Sequence, residues 1–520
     1  MEKKVKSIGK NAAMLGIAGI IVKIIGAIYR IPITAMITDE GLGYYQTAYP
    51  IYEMMLAIST AGLPVAISKM VAASVAQEKF RESKKILHLS MYLMGILGIF
   101  FGLMIFIFAD KLANFYKNPG AYYSMVALVP AMVVSPMLAG IRGYYQGRQI
   151  MGPTAISQVL VQGFRLISGL VLAKLLLPRG LEFAAGGATL AAGIGSIIGL
   201  LYMFAIHFRY RADLNSEVTI GVQETSESKE ILKEMIMIAL PISIGAAIVP
   251  IMDSIDIYLV MDGLQAIGFS PEEANLRFAW LKGMAQTLIN MPQVFAVALG
   301  VSIIPVITSL IEKKNHKELE GKLSMIFKLT FLLAFPCMVG LFSLSYPIIS
   351  LIYPTTSAMA KEGTALILKI LSLSTLPLML ITITSSIMQA FGKERVPVLN
   401  LLIGAVVKII LTIYLTRIPS VNVYGAAIGS VVGYSLTAGL NIASVNKYMA
   451  FSLDKNIIIY FVASIIMGFA AYYSQDLASG FIGPKFATLV AIIIAVVIYF
   501  GILLATKSFT REDFEMLRRK

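Results

Sequence analysis

"GYYQGRQIMGPTAISQVLVQGFRLISG" occupies residues 143–169, and "MQAFGKERVPVLNLLIGAVVKIIL" follows about 245 residues later, at 388–411. Each has a glycine followed at once by a basic residue, then a proline, then an apolar run with a cation near its middle: Arg165 in the first, Lys408 in the second. A weak internal echo of this kind marks an internal duplication. The echo continues on both sides. "GLPVAISK" (62–69) answers "SIIPVITS" (302–309), and "AAGGATLAAGIGS" (184–196) answers "VYGAAIGSVVGYS" (423–435).

Composition sets the solvent. The 520 residues are 58% hydrophobic and 14% charged, against roughly 45–50% and about 25% in soluble domains. About fourteen apolar segments are long enough to span a bilayer as helices: 12–37, 44–75, 86–109, 121–146, 153–177, 183–207, 231–262, 275–308, 323–353, 362–391, 396–417, 421–445, 456–475 and 484–506. The basic, then apolar, beginning is expected to be a retained first span, because its apolar part is long and has no small-residue cleavage site. The expected fold is therefore an all-α membrane protein of about fourteen transmembrane helices. Its parts are a six-helix half (1–210), a linker (211–230) expected to be polar and flexible, a second six-helix half (231–450), and two extra helices with a basic tail (451–520). An even number of spans per repeat makes the halves parallel, an arrangement suited to alternating access.

Charge distribution gives orientation. Lys79, Arg81, Lys84 and Lys85, then Arg142 and Arg148, Arg209 and Arg211, Lys313 and Lys314, Lys393 and Arg395, and the terminal "LRRK" fall in alternate connections. The other connections carry few Lys or Arg, so the positive-inside rule puts both termini in the cytoplasm of a multi-pass plasma-membrane protein. The net charge of +14 is thus a topology signal with some attraction to anionic lipid, and nucleic acid is not an expected partner.

Polar residues inside the spans are the candidate site. Gln158, Gln162, Arg165 and Ser168 share a helix face, as do Asn400, Gly404, Lys408 and Thr412. Lys23 and Arg30 share a face of the first span, and Lys282, Gln286, Asn290 and Gln293 lie on one line in the eighth. A cation at the bilayer centre costs at least about 2.5–3.5 kcal/mol, so Lys23, Arg30, Arg165, Lys282 and Lys408 are candidates for a cationic cavity lined by Gln158, Gln162, Gln286 and Asn290. Such a cavity would attract an anion, and arginine holds phosphate bidentately. The competing reading for Lys23, Lys69, Lys174 and Lys328 is snorkelling to the interface; for the deeper cations it is a structural pair with a buried carboxylate. The carboxylates are Glu53, on a face shared with Tyr45 and Tyr49, and Asp253 and Asp256 in span seven. They read as a latch between the halves, a proton or sodium site, or a static pair, and the sequence does not rank these.

Other chemistries are absent. No phosphate-binding G-x-x-x-x-G-K-[ST] loop occurs. His88, His207 and His316 are scattered, which argues against a metal site, and the single cysteine, Cys337, allows no intramolecular disulfide.

"KIIGAIYRIPI" (23–33), "GLPVAISK" and "RGYYQGRQIMGPTAISQV" (142–159) resemble the polysaccharide-export branch of the multidrug/oligosaccharidyl-lipid/polysaccharide (MOP) exporter superfamily, within it the stage V sporulation protein B group and the MurJ-like lipid II flippases. The resemblance covers essentially the whole chain. It implies a non-enzymatic flippase without cofactor, driven by membrane potential or an ion gradient. Its cargo would be an undecaprenyl-pyrophosphate-linked saccharide, with lipid II the first expectation and cell-wall synthesis machinery as partners. The cationic cavity would hold the pyrophosphate and sugars, and a groove by the two extra helices the lipid tail. Lys23 and Arg30 match the first-helix segment where such flippases carry essential arginines. The pattern departs at Gln286 and Thr287, and around Ala57, where those proteins have arginines. The rival expectations are a cation-coupled multidrug exporter centred on Asp253, Asp256 and Glu53, and a membrane glycosyltransferase or polymerase, for which the outward loops are too short.

Overall fold

The computed structural model describes residues 2–220, 222 and 224–508, which are almost entirely helical; the basic tail at 517–520 lies outside the described residues. The chain divides into two compact units, Met1–Asp262 and Gly263–Lys520. Unit 1 contains α1 (Glu2–Leu56), α2 (Leu63–Ala76), α3 (Phe80–Phe115), α4 (Tyr122–Val126), α5 (Val129–Gly147), α6 (Met151–Leu176), α7 (Leu181–Arg209), α8 (Arg211–Ile220) and most of α9 (Ser228–Ala266). Unit 2 contains α10 (Pro271–Phe278), α11 (Gln286–Asn290), α12 (Gln293–Glu312), α13 (His316–Ser343), α14 (Ser345–Ile352), α15 (Ala358–Ser372), α16 (Thr375–Ala390), α17 (Arg395–Leu415), α18 (Val423–Tyr448), α19 (Ile457–Ile482) and α20 (Pro484–Ala505).

Eleven helices among the described residues are long and apolar enough to cross a membrane, or thirteen if the bent pairs α4–α5 (41°) and α15–α16 (46°) each count as one span. The first candidate, Met14–Ala76, is 63 residues long, about 95 Å of helix at 1.5 Å per residue, far more than one bilayer. It reverses at Thr38, the one residue inside α1 with non-helical dihedrals (φ 59°, ψ −176°). The reversal is shown by Arg30 and Tyr45, whose guanidinium and ring centroid are 5.6 Å apart although fifteen helical residues would separate them by about 22 Å. Counting the two sides of Thr38 separately raises thirteen to the expected fourteen. "TDEGLG" (38–43), read as a short loop, is helical after its first residue. Gly41 permits this: a Cβ there would lie 2.9 Å from the Ile37 Cβ.

Two expectations need correction. The segment 275–308 is not one regular helix but α10, a π-helical turn (Ala279–Ala285), α11 and α12. The break falls at Met291 and Pro292, where proline offers no N–H to continue the helical ladder. The linker at 211–230 is not a loose loop: α8 forms within it, and the chain beyond α8 is hydrogen-bonded to α3, with Lys85 Nζ donating to Ser226 O at 2.7 Å and Ser226 N donating to Glu82 Oε2 at 2.9 Å.

Solvent exposure follows the membrane reading. On α3, Ile96, Phe100, Leu103 and Ile107 are exposed at helical spacing, while Met94, Gly98, Gly102, Ile105 and Ala109 are buried on the opposite side. In a bilayer the exposed row faces acyl chains, and small residues make the helix contacts.

The duplication is visible in packing register. On α7, a Cβ at Gly187 would lie 3.0 Å from Leu172 O, and one at Gly195 would lie 2.5 Å from Val161 O and 3.5 Å from the Arg165 Cβ. On α18, a Cβ at Gly425 would lie 2.9 Å from Leu415 O, and one at Gly433 would lie 2.7 Å from Gly404 O and 2.8 Å from the Lys408 Cβ. The partners on α6 and α17 (161/404, 165/408, 172/415) keep a constant separation, and so do the glycines on α7 and α18. The helix pair α6–α7 is repeated as α17–α18, residue for residue.

Candidate functional site

The reversal at Thr38 folds α1 so that its two arms face each other. One arm presents Tyr29 and Arg30; the other presents Tyr45, Tyr49, Tyr52 and Glu53, at spacings that share a helix face. α6 adds Arg165. Its Nη2 donates to the Tyr45 hydroxyl at 2.6 Å, and its guanidinium sits 4.9 Å from the centroid of the Tyr49 ring. Tyr45 and Tyr49 stack at 5.4 Å with 14° between planes, and Tyr52 follows at 5.6 Å from Tyr49. Two guanidiniums are therefore held against a wall of tyrosine rings, each contact worth about 0.5–2 kcal/mol depending on desolvation.

The surroundings lock this wall. The Tyr29 hydroxyl donates to Ala188 O at 3.2 Å. It passes over Gly169, where a Cβ would come within 2.4 Å of the hydroxyl oxygen, so the tyrosine requires glycine there. The Tyr52 hydroxyl lies 3.4 Å from Ser135 Oγ, which is 2.9 Å from Ser196 Oγ. On α6, Gln162 packs over Gly26: a Cβ on Gly26 would meet its Nε2 at 3.0 Å.

Two atoms in the cluster are incomplete. Arg30 Nη1 and Arg165 Nε are buried and have no hydrogen-bond partner. A buried N–H without an acceptor costs about 1–3 kcal/mol, more when charged. Anionic oxygens would satisfy both, and guanidinium forks match phosphate geometry. Glu53 stands at the edge of the cluster, exposed, within electrostatic reach of Arg165 and Arg30 and of the like-charged Asp253 on α9.

Of the residues singled out in the sequence, unit 1 brings together Arg30, Arg165, Glu53 and Asp253, with Gln162 alongside. Lys23 is exposed, two turns before Arg30, and Gln158 is half-buried one turn before Gln162. Asp256 is buried, 3% exposed. The remaining candidates lie in unit 2. Gln286 Nε2 and Gln293 Nε2 both donate to Asn290 Oδ1 at 3.1 Å, an amide chain closed on itself. Lys282 is half-buried inside the π-helical turn. Lys408, expected to face a cavity, is 3% exposed, with its ammonium 5.7 Å from the Tyr434 centroid. Lys328, read as snorkelling, lies 3.8 Å from Asp454. Tyr29 and Tyr52 were missed. Their signal is present in hindsight: Tyr52 completes the helical row of Tyr45 and Tyr49, and Tyr29 precedes Arg30 in an otherwise apolar run.

With this geometry established, comparison with known proteins places it. A family profile described as polysaccharide biosynthesis protein matches residues 8–311, and one described as MatE matches residues 282–414. The chain is 28% identical over 462 residues to the stage V sporulation protein B of Bacillus subtilis (strain 168), covering 88% of each chain. It is 27% identical over 504 residues to the lipid II flippase MurJ of the same organism, covering 94% of this chain and 92% of the relative. A solved structure of the lipid II flippase MurJ in an inward closed conformation shares the fold, with a TM-score of 0.71 at 16% identity over 95% of this chain and 99% of the other. The profile spanning more than half of the sequence and the shared fold lead to one assignment: the chain belongs to the polysaccharide biosynthesis protein family, within the MOP exporter superfamily.

Proposed function

We propose that this protein is a flippase that moves an undecaprenyl-pyrophosphate-linked saccharide across the bacterial plasma membrane, with lipid II, the peptidoglycan precursor, as its cargo. The observation that carries this reading is the pair Arg30 and Arg165, each with a buried nitrogen lacking an acceptor, set against the Tyr45–Tyr49 stack. The arginines would take the pyrophosphate oxygens, and Tyr49, the half-buried ring of the stack, would pack against sugar. No bond of the cargo is made or broken, so the protein acts as a transporter rather than an enzyme and needs no cofactor. Membrane potential or an ion gradient supplies the drive, and both termini face the cytoplasm by the alternation of basic loops. Similarity to the B. subtilis lipid II flippase over nearly the whole chain supports the choice of cargo.

A second reading, a cation-coupled exporter of small amphiphiles, rests on the MatE match to residues 282–414 and on Glu53 facing Asp253. One experiment separates the two. The chain is expressed in a bacterium whose only lipid II flippase can be switched off, and survivors are counted for wild type, Arg30→Ala and Arg165→Ala at matched membrane levels. Rescue by wild type and loss with either alanine supports lipid II transport. Correct insertion without rescue, accompanied by altered drug susceptibility, supports the exporter.

A further inference from the structure

Unit 1 holds a second concentration of positive charge away from the tyrosine cluster. A cavity of about 500 Å³ opens among α3, α5, α7 and α8. Its walls include Lys84, His88, Arg148, His207 and Arg211, so two of the three histidines in the chain face one cavity. The carboxylate of Glu217 answers one of them, through a salt bridge to Arg148. The other walls are apolar and include Tyr92 and Phe208, both largely exposed on the outer surface of their helices.

Arg148 is the built element. Its side chain is 8% exposed, its guanidinium lies 5.7 Å from the Tyr144 centroid, and its Nη1 approaches the Tyr144 hydroxyl at 3.4 Å. Even so, its Nε is buried with no hydrogen-bond partner. The amphipathic α8 closes the cavity from one side. Leu214 and Val218 face inward, and Asn215 Oδ1 accepts from Lys84 Nζ at 2.9 Å.

An occupant must offer anionic oxygen to the cations and hydrocarbon to the aromatic rim. A free phosphate would answer only the first demand. We propose that this cavity binds the phosphate headgroup of an anionic membrane lipid, with the acyl chains laid along Tyr92 and Phe208 and α8 as its cover. Basic pockets between spans at the cytoplasmic side recognise lipid headgroups in this way. The basic loops place the cavity at the cytoplasmic end, and this orientation alone rests on the functional reading above.

The test is native mass spectrometry of the full chain in neutral detergent, titrated with phosphatidylglycerol, phosphatidylcholine or inorganic phosphate. Phosphatidylglycerol should be held about tenfold more tightly than phosphatidylcholine, and millimolar inorganic phosphate should leave it in place. Lys84→Gln with Arg211→Gln should weaken phosphatidylglycerol about thirtyfold, since each cation near the surface contributes about 1 kcal/mol. Asn215→Trp, which fills the cavity without removing charge, should weaken it as well. Arg30→Ala, which strikes the tyrosine cluster, should hold the lipid as wild type does, so failure of the flippase reading and failure of this one are separable. Equal retention of the two lipids, loss of binding in Arg30→Ala, or wild-type binding in Asn215→Trp would each overturn the proposal. Displacement by inorganic phosphate would assign the cavity to a soluble phosphate compound instead.

Discussion

Arg165 and Lys408 stand at the same register of the same packed helix pair, once in each unit. Arg165 leaves its pair and reaches the Tyr45 hydroxyl and the Tyr49 ring on α1, with Nε still unpartnered. Lys408 stays in the interface of α17 and α18, almost fully buried beside Tyr434. The same contrast recurs three spans earlier in each copy. Tyr45, Tyr49 and Tyr52 lie 19, 15 and 12 residues before Pro64; Gln286, Asn290 and Gln293 lie 19, 15 and 12 residues before Pro305. Rings in one copy are amides in the other. The glycine-lined backbone contacts persist through the duplication because a Cβ there would strike a carbonyl. Side chains that point away from that contact carry no such constraint, and there the copies diverge into a cationic aromatic wall and a self-satisfied amide chain.

The sharpest way to break this contrast is to remove each cation. Arg165→Ala is expected to lower transport by about tenfold to a hundredfold, the loss of one or two charge-assisted hydrogen bonds of about 1.5–3 kcal/mol. Lys408→Gln should leave transport within about twofold. Both are read as uptake of labelled lipid II into proteoliposomes. A dead Lys408→Gln at normal protein yield would make the two cations equivalent and undo the asymmetry.

The shared half of the comparison is probed by Gly195→Leu and Gly433→Leu. Each should destabilise its unit by about 1–3 kcal/mol or more through overpacking, visible as lower melting temperatures in fluorescence-detected size-exclusion chromatography. Similar losses would confirm the repeated register, and a loss in only one would break it. Tyr45→Phe removes one hydroxyl acceptor from Arg165 and should reduce transport about threefold to tenfold, the net value of an ordinary hydrogen bond, about 0.5–1.5 kcal/mol. Asn290→Ala should cost least: it frees two amides that water can reach, for a change under about 1 kcal/mol in stability and under about twofold in transport.

Much of the architecture was legible in the sequence. Apolar length located the spans, and the repeated motifs located the duplication, because burial in lipid leaves a long and continuous signal. The reversal at Thr38 was not legible, since "TDEGLG" has the composition of an ordinary loop and only the approach of Arg30 to Tyr45 reveals how tight the turn is. α8 escaped because ten residues with a few inward apolar positions give too short a period to separate from a polar linker. For the site, helical spacing put Arg165 with Gln162 and Glu53 with Tyr45 and Tyr49, yet spacing gives a face and not the neighbour across from it. Arg165 and Lys408 looked alike for that reason. What distinguishes them is the partner helix each one meets.

The reversal at Thr38 also bears on how the protein enters its membrane. An apolar helix carrying both Lys23 and Arg30 is a poor insertion substrate alone, each central cation costing at least about 2.5–3.5 kcal/mol. The second arm of α1 emerges directly behind the first, with a single non-helical residue between them, and its Tyr45 ring meets Arg30. The two arms are suited to leave the translocon together as a helical hairpin, the second acting as an internal chaperone for the charge in the first. A nascent chain stopped after Ile37 should therefore remain accessible to protease, while one extended through Ala76 should be protected.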